Sequence, residues 1–171
     1  MKNYKNSINK LIKSKLRIGD EIINSANCLN RIAAFNIFNE VSNPATDNAA
    51  FDGYAINSKD TKNLNNKKKL FKIIGMIAAG NKPLKKKIKK FQTVEIMTGG
   101  AIPRGLDTII PIEQVKFFPN KRNPESILID RKVKKFQYIR FKGSDFKKKD
   151  LLIKKGTFLK PNHILALKTL G

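Results

Sequence analysis

Three stretches of this chain carry residue types that can handle an oxyanion or a hard cation. The first, Asp47-Asn48-Ala49-Ala50-Phe51-Asp52-Gly53-Tyr54, holds two carboxylates among small residues. Gly53 permits a sharp turn directly after Asp52, and small neighbours let the backbone approach a ligand closely. Asp52 is therefore a candidate ligand for Mg²⁺, which prefers carboxylate oxygen and retained waters. The plainer reading is an Asx-turn begun by Asp47 and Asn48, with Asp52 merely closing it.

The second stretch is Glu95-Ile96-Met97-Thr98-Gly99-Gly100-Ala101-Ile102-Pro103. A strand running into Thr-Gly-Gly can offer the Thr98 hydroxyl and successive N–H groups, Gly99 among them, as an anion-binding nest. An ordinary strand-to-turn connection has nearly the same composition. The third, Tyr138-Ile139-Arg140-Phe141-Lys142-Gly143-Ser144-Asp145, carries the planar fork of Arg140, suited to a phosphate or molybdate-like anion. Asp145 either pairs with it or binds metal; a surface salt bridge is the alternative. His163 has no second His or Cys at ligand spacing, so it does not indicate zinc. Cys28, the only cysteine, belongs on an apolar face.

These stretches need elements to hold them. Ile8, Leu11, Ile12 and Leu16 follow the spacing of one helical face, which Gly19-Asp20 ends. Glu21–Ile23 is a short strand candidate. Ser25 is placed to cap a second helix bearing Cys28, Leu29, Ile32 and Ala33, followed by an extended Ile37–Val41. From Asn43 onward, short β-branched or aromatic runs alternate with Gly, Pro and Lys/Asn clusters. They are Tyr54–Ile56, Leu70–Ile77, Thr93–Met97, Thr108–Ile112, Ser126–Ile129 and Lys135–Phe141. A hairpin around Lys155-Gly156 and a helix starting at Pro161, with Gly171 beginning its C-cap, complete the chain.

This pattern predicts an α+β, mostly β protein. A small antiparallel barrel- or sandwich-like domain over 43–140 is inserted into a discontinuous α/β domain built from 1–42 and 141–171.

The charge, 36 Lys+Arg against 13 Asp+Glu for a net +23, exceeds what solubility asks of a small domain. The lysines lie along the whole length, beside turns at Lys67–Lys69, Lys85–Lys87 and Lys147–Lys149. They accompany abundant Asn and Ile, as an AT-rich genome would encode. A solvated surface explains them more simply than a polyanion-binding face, and aromatic residues are not interleaved with the basic runs. No apolar run is long enough to span a bilayer, and the basic N-terminus lacks the apolar core of a secretory signal. A single cysteine suits a reducing cytoplasm.

Taken in order, the three stretches resemble the molybdopterin molybdenumtransferase family (MoeA-type in bacteria, the E domain of gephyrin in animals). Asp47, Asn48, Ala50, Asp52, Gly53, Tyr54 and Ala55 match its D-N-S-A-M-D-G-Y-A signature. Ile96, Met97, Thr98, Gly99, Pro103 and Gly105 match I-M-T-G-A-x-x-P-x-G, continuing through Asp107–Ile112 to Glu113-Gln114. Ile139, Arg140, Gly143 and Asp145 match I-R-x-x-G-E-D. The departures are Ala49 for Ser, Phe51 for Met, Gly100 for Ala and Ser144 for Glu.

The resemblance implies conversion of adenylylated molybdopterin and molybdate into molybdenum cofactor and AMP, assisted by Mg²⁺, in a homodimer. It assigns catalysis to Asp52 and Thr98, metal binding to Asp52, and substrate binding to Arg140, Gly99 and Asp145. It also implies a pterin-binding domain after Gly171, supplied in cis or in trans, without which this stretch is not expected to work alone. A basic nucleic-acid-binding module, or an inactive remnant that still dimerises, is the alternative.

Overall fold

The computed structural model describes residues 3–14, 18–64, 67–82, 84 and 86–170, with Leu170 described as backbone only; Leu16, Lys85 and Gly171 lie outside this set. In chain order the elements are α1 (Tyr4–Lys13), β1 (Ile37–Phe38), β2 (Asn48–Ala49), β3 (Gly53–Ile56), β4 (Lys69–Ile77), β5 (Gln92–Ile96), β6 (Thr108–Pro111), β7 (Lys116–Phe118), β8 (Ser126–Ile129), β9 (Ile139–Arg140), β10 (Leu151–Ile153) and α2 (Pro161–Leu170). The chain divides into a terminal unit, Met1–Ile37 with Leu151–Gly171, and a central unit, Phe38–Asp150.

These boundaries lie outside the 43–140 limits expected of the inserted domain. Backbone hydrogen bonds explain the difference: Asn39 N donates to Asp150 O, Lys149 N to Asn39 O, and Asn43 N to Phe146 O, which ties both flanks to the central unit.

In the terminal unit, α1 begins at Asn3, whose side chain accepts the Lys5 N–H, and ends over Lys10 and Lys13, where positive charge suits the helix dipole. Its apolar residues stay in solvent, Leu11 at 69% and Ile12 at 70% exposure. The small core is Cys28, Ala33, Ile153 and Leu159, flanked by Ile37, Leu152, Ile164 and Leu167. Cys28 is thus core, and its thiol donates to Ser25 O.

Three expectations fail in this unit. Residues 21–23 form no strand, and the helix expected from Ser25 stops after one 3₁₀ turn, Ser25–Asn27. Asn30 takes a left-handed φ of 62°, and the chain turns extended. Asn30 N and Ala33 N then donate to Leu159 O and Thr157 O, while Ile32 bridges Phe158. Long-range pairing there outcompetes helical spacing. For the same reason β10 pairs with β1 and does not form a hairpin with 157–160. Helix α2 does start at Pro161, and His163 Nδ1 accepts the Lys160 N–H just ahead of it, the reciprocal half of a capping box.

The central unit is a six-stranded sheet in the order β6-β3-β5-β4-β8-β7, with β2 and β9 forming a separate two-stranded ladder. Strand alternation divides the core. Tyr54, Ile56, Phe71, Ile127 and Ile129 pack on one face, and Ala55, Ile77, Val94, Ile96 and Ile109 on the other. Each of the Val, Ile and Phe side chains among them stabilises by roughly 1.5–3 kcal/mol on burial.

The sheet is mixed where the sequence suggested antiparallel pairing throughout, because β4 and β5 run parallel. Parallel neighbours require a long crossover, which the lysine-rich segment 78–91 provides. Strand β7 arises where none was expected, and the expected Lys135–Phe141 strand shrinks to Ile139–Arg140. Phe136 (φ 66°) and Tyr138 (φ 58°) are left-handed and interrupt it.

Candidate functional site

The three chemistry-bearing stretches meet around β2. Asn48 and Ala49 pair with Arg140 and Ile139 on one side. On the other, Ala49 N donates to Gly100 O and Gly99 N to Ala49 O, both at 2.9 Å. Asp47 does not form the Asx-turn considered for it; Oδ1 accepts the Lys142 N–H at 2.8 Å, joining the first stretch to the third.

Immediately beyond, β3 begins at Gly53, opposite Ile96 and Pro111 in the register. A Cβ there would lie 2.1 Å from Ile110 O, so only glycine lets the Asp52 turn approach β6 this closely. Asp52 is held at its backbone, where O accepts from Ile112 N at 3.0 Å. Its side chain reaches the second stretch: Oδ1 accepts both the Thr98 N–H at 2.6 Å and the Thr98 hydroxyl at 2.7 Å. The Thr98 hydroxyl and then its backbone N–H stabilise the charged form, holding the carboxyl below the usual carboxylate range. Oδ2 accepts no hydrogen bond among the described residues.

This geometry changes the role foreseen for the Thr-Gly-Gly loop. Thr98 N and Oγ1 donate to Asp52, Gly99 N to Ala49 O, and Gly100 N to Met97 O. The loop is therefore not an open anion nest, since the successive donors are already engaged. Gly99 is left-handed (φ 80°), and its contribution is the turn and the tie to β2. Gly100, where the resemblance has alanine, is crowded: a Cβ would meet Ile96 Cγ1 and Met97 O at 2.9 Å each.

Arg140 is ion-paired with Asp145 Oδ2, which also lies 3.4 Å from the Asn43 side-chain amide. Both partners are partly solvated. Thus Asp52 with Thr98, and Arg140 with Asp145, form two pairs flanking β2. Among the described residues no side-chain hydrogen bond or ion pair joins Asp52 to Arg140. Nor does any group of three or more His, Cys, Asp or Glu side chains gather as a metal cage among them.

Sequence reasoning passed over the other side of the Asp52 turn. Phe51 packs edge-to-face on Tyr138 at 5.1 Å, and Arg131 donates to Gln114 Oε1 at 2.7 Å. Only the Glu113-Gln114 pair had drawn notice there.

Comparison with known proteins decides the relationship. The family model describing the MoeA N-terminal region (domain I and II) matches residues 3–171. The chain belongs to the MoeA N-terminal region family. Among relatives named molybdopterin molybdenumtransferase, that of Haemophilus influenzae is 33% identical over 151 residues, covering 88% of this chain and 35% of its own. That of Staphylococcus epidermidis is 28% identical over 170 residues, covering 99% and 39%.

A solved structure of a molybdopterin biosynthesis MoeA protein from Pyrococcus horikoshii superposes with a TM-score of 0.82 at 32% identity, covering 98% of this chain and 43% of that one. The chain thus spans between a third and a half of the length of these relatives. No described helix is long and apolar enough to cross a membrane.

Proposed function

We propose that this chain supplies the Asp52–Thr98 side of a molybdopterin molybdenumtransferase, which inserts molybdate into adenylylated molybdopterin and releases AMP. The observation that carries this reading is the asymmetric Asp52 carboxylate. One oxygen is fixed by two Thr98 donors, while the other accepts no hydrogen bond among the described residues. A carboxylate kept ionised and held in one rotamer is suited to meeting a cation as charge develops.

Asp52 fits Mg²⁺ as a single carboxylate donor, since Mg²⁺ commonly keeps waters and substrate oxygens for the rest of its shell. When bound, the ion would neutralise charge on the phosphate and molybdate oxygens. Thr98 positions Asp52; in this reading it does not itself contact the anion. Arg140 binds the oxyanion by exchanging Asp145 for it. That exchange is inexpensive, because an exposed ion pair contributes only about 0–1 kcal/mol.

The reading places the protein in the cytoplasm and as a homodimer. The terminal unit supports a second copy as its partner, with Ile18, Ile22 and Phe35 exposed around a cavity of about 820 Å³, alongside the uncovered α1 stripe. The test is cofactor formation by this chain together with a pterin-binding region, in cis or in trans. Molybdenum-dependent product is expected, and Asp52→Ala should abolish it. Undiminished product from Asp52→Ala would refute the role given to Asp52.

A further inference from the structure

A second polar site lies in the central unit, on residues the reading above does not use. A cavity of about 220 Å³ is lined by Gln114, Arg131, Lys132, Lys134, Gln137 and Tyr138 over a floor of β6 residues. Among the described residues no carboxylate lines it. Side chains that could be independent are organised into one donor array. Arg131 donates to Gln114 Oε1 at 2.7 Å, which turns the Gln114 amide NH₂ away from the guanidinium. Gln137 and Gln114 line the same cavity as Tyr138, and they, Gln137 foremost, push its phenol below the ordinary value, with the Arg131 charge adding to the effect.

The backbone beneath is strained and fixed. Phe136 and Tyr138 both sit at positive φ, flanking Gln137. Each is pinned from another element: Phe136 N donates to Asp107 O, Ile109 N to Gln137 O, and Ala50 N to Tyr138 O. Left-handed backbone at two non-glycine residues is strained, and such strain persists where surrounding structure over-determines it. Here it presents Gln137 and Tyr138 to one cavity.

We propose that Arg131, Gln114, Gln137 and Tyr138 form a binding site for a phosphoryl or pyrophosphoryl group. The guanidinium supplies the charge and a planar fork, and the amides and phenol supply neutral donors around it. Residues Lys132 and Lys134 raise the local anion concentration at the rim. This assignment stands apart from molybdenum insertion and needs no activity for its test.

The competing explanation is loose condensation of anions on a chain of net charge +23. Titration of the ¹⁵N-labelled chain with inorganic pyrophosphate, at about 0.15 M salt to screen exposed charges, separates the two. Saturable shifts are expected at the Gln114 and Gln137 side-chain amides and at Arg131. Arg131→Ala should weaken binding about tenfold and Tyr138→Phe several-fold. Lys87→Ala, which removes one charge away from the cavity, should leave it within about twofold. Shifts spread over the lysine runs, or equal losses in Arg131→Ala and Lys87→Ala, would overturn the assignment. Arg131 is exposed, so its truncation leaves the fold intact, which the unchanged amide spectrum of the remaining residues verifies.

Discussion

The Asp52 carboxylate and Thr98 are 46 positions apart in sequence, yet one carboxylate oxygen receives both the Thr98 amide and its hydroxyl. The donor that any residue at position 98 would offer is thereby separated from the donor that only Ser or Thr offers. Thr98→Val removes the hydroxyl alone. Asp52 should then titrate closer to the ordinary aspartate value, measurable from its ¹³C carboxyl shift. The sign follows from the depressed folded value. The stabilisation is present above the unfolded value of about 3.9 and is lost as pH falls through the folded one. Thr98→Val should therefore flatten acid-side stability, and an unmoved Asp52 titration would show that the hydroxyl does not set it.

Backbone proximity ranks three glycine substitutions. Gly53→Ala places a Cβ 2.1 Å from Ile110 O and should cost about 3 kcal/mol or more, or abolish folding. Gly100→Ala restores the residue the family signature carries, but presses on Ile96 and on Met97 O, and should cost about 1–3 kcal/mol. Gly80→Ala meets open space at φ 80° and should cost only the left-handed penalty of about 1–2 kcal/mol. Urea midpoints of the three variants check the order.

Tyr54 gives an alkaline signature. Burial first, and then the Glu95 charge opposite it in the β3–β5 register, pushes its phenol up to about 12 from 10.0. An acid whose folded value exceeds its unfolded one leaves stability intact below the unfolded value and erodes it between about pH 10 and 12. Tyr54→Phe should remove that part of the decline. A tyrosinate absorbance titration should also show one of the three tyrosines ionising late.

If a second copy covers the terminal unit, Ile22→Asp, at a fully exposed apolar position, should shift the light-scattering mass toward the monomer without lowering secondary structure. A mass equal to one chain for the unaltered protein would remove the dimer from the reading.

Elements whose local pattern agreed with their long-range partners were legible in the sequence. Pro161 starts α2 where its fixed φ suits the first turn, and Ser126–Ile129 alternates inward and outward as a half-buried strand does. Legibility ended where distant backbone pairing decided the matter. The residues 28–33 carry helical spacing, but they turn at Leu29-Asn30 and then run extended against 157–159. The Thr98-Gly99-Gly100 donors look free in sequence because Asp52 and Ala49, which occupy three of them, are remote. The Arg131–Gln114–Tyr138 array has no motif at all, because its members come from three separate segments and are gathered by the left-handed turns at 136 and 138.

The central unit enters and leaves through adjacent strands of backbone: Asn39 N donates to Asp150 O at 2.9 Å, and Lys149 N returns a bond to Asn39 O at 2.8 Å. A segment whose extremities already touch loses little entropy when they are tethered, because the loop to be closed is short. Excised at Phe38 and Asp150, it could be spliced into a surface loop of an unrelated host protein, or reopened elsewhere as a circular permutant, while keeping the Asp52 turn in place. The same adjacency makes the unit a transferable cassette.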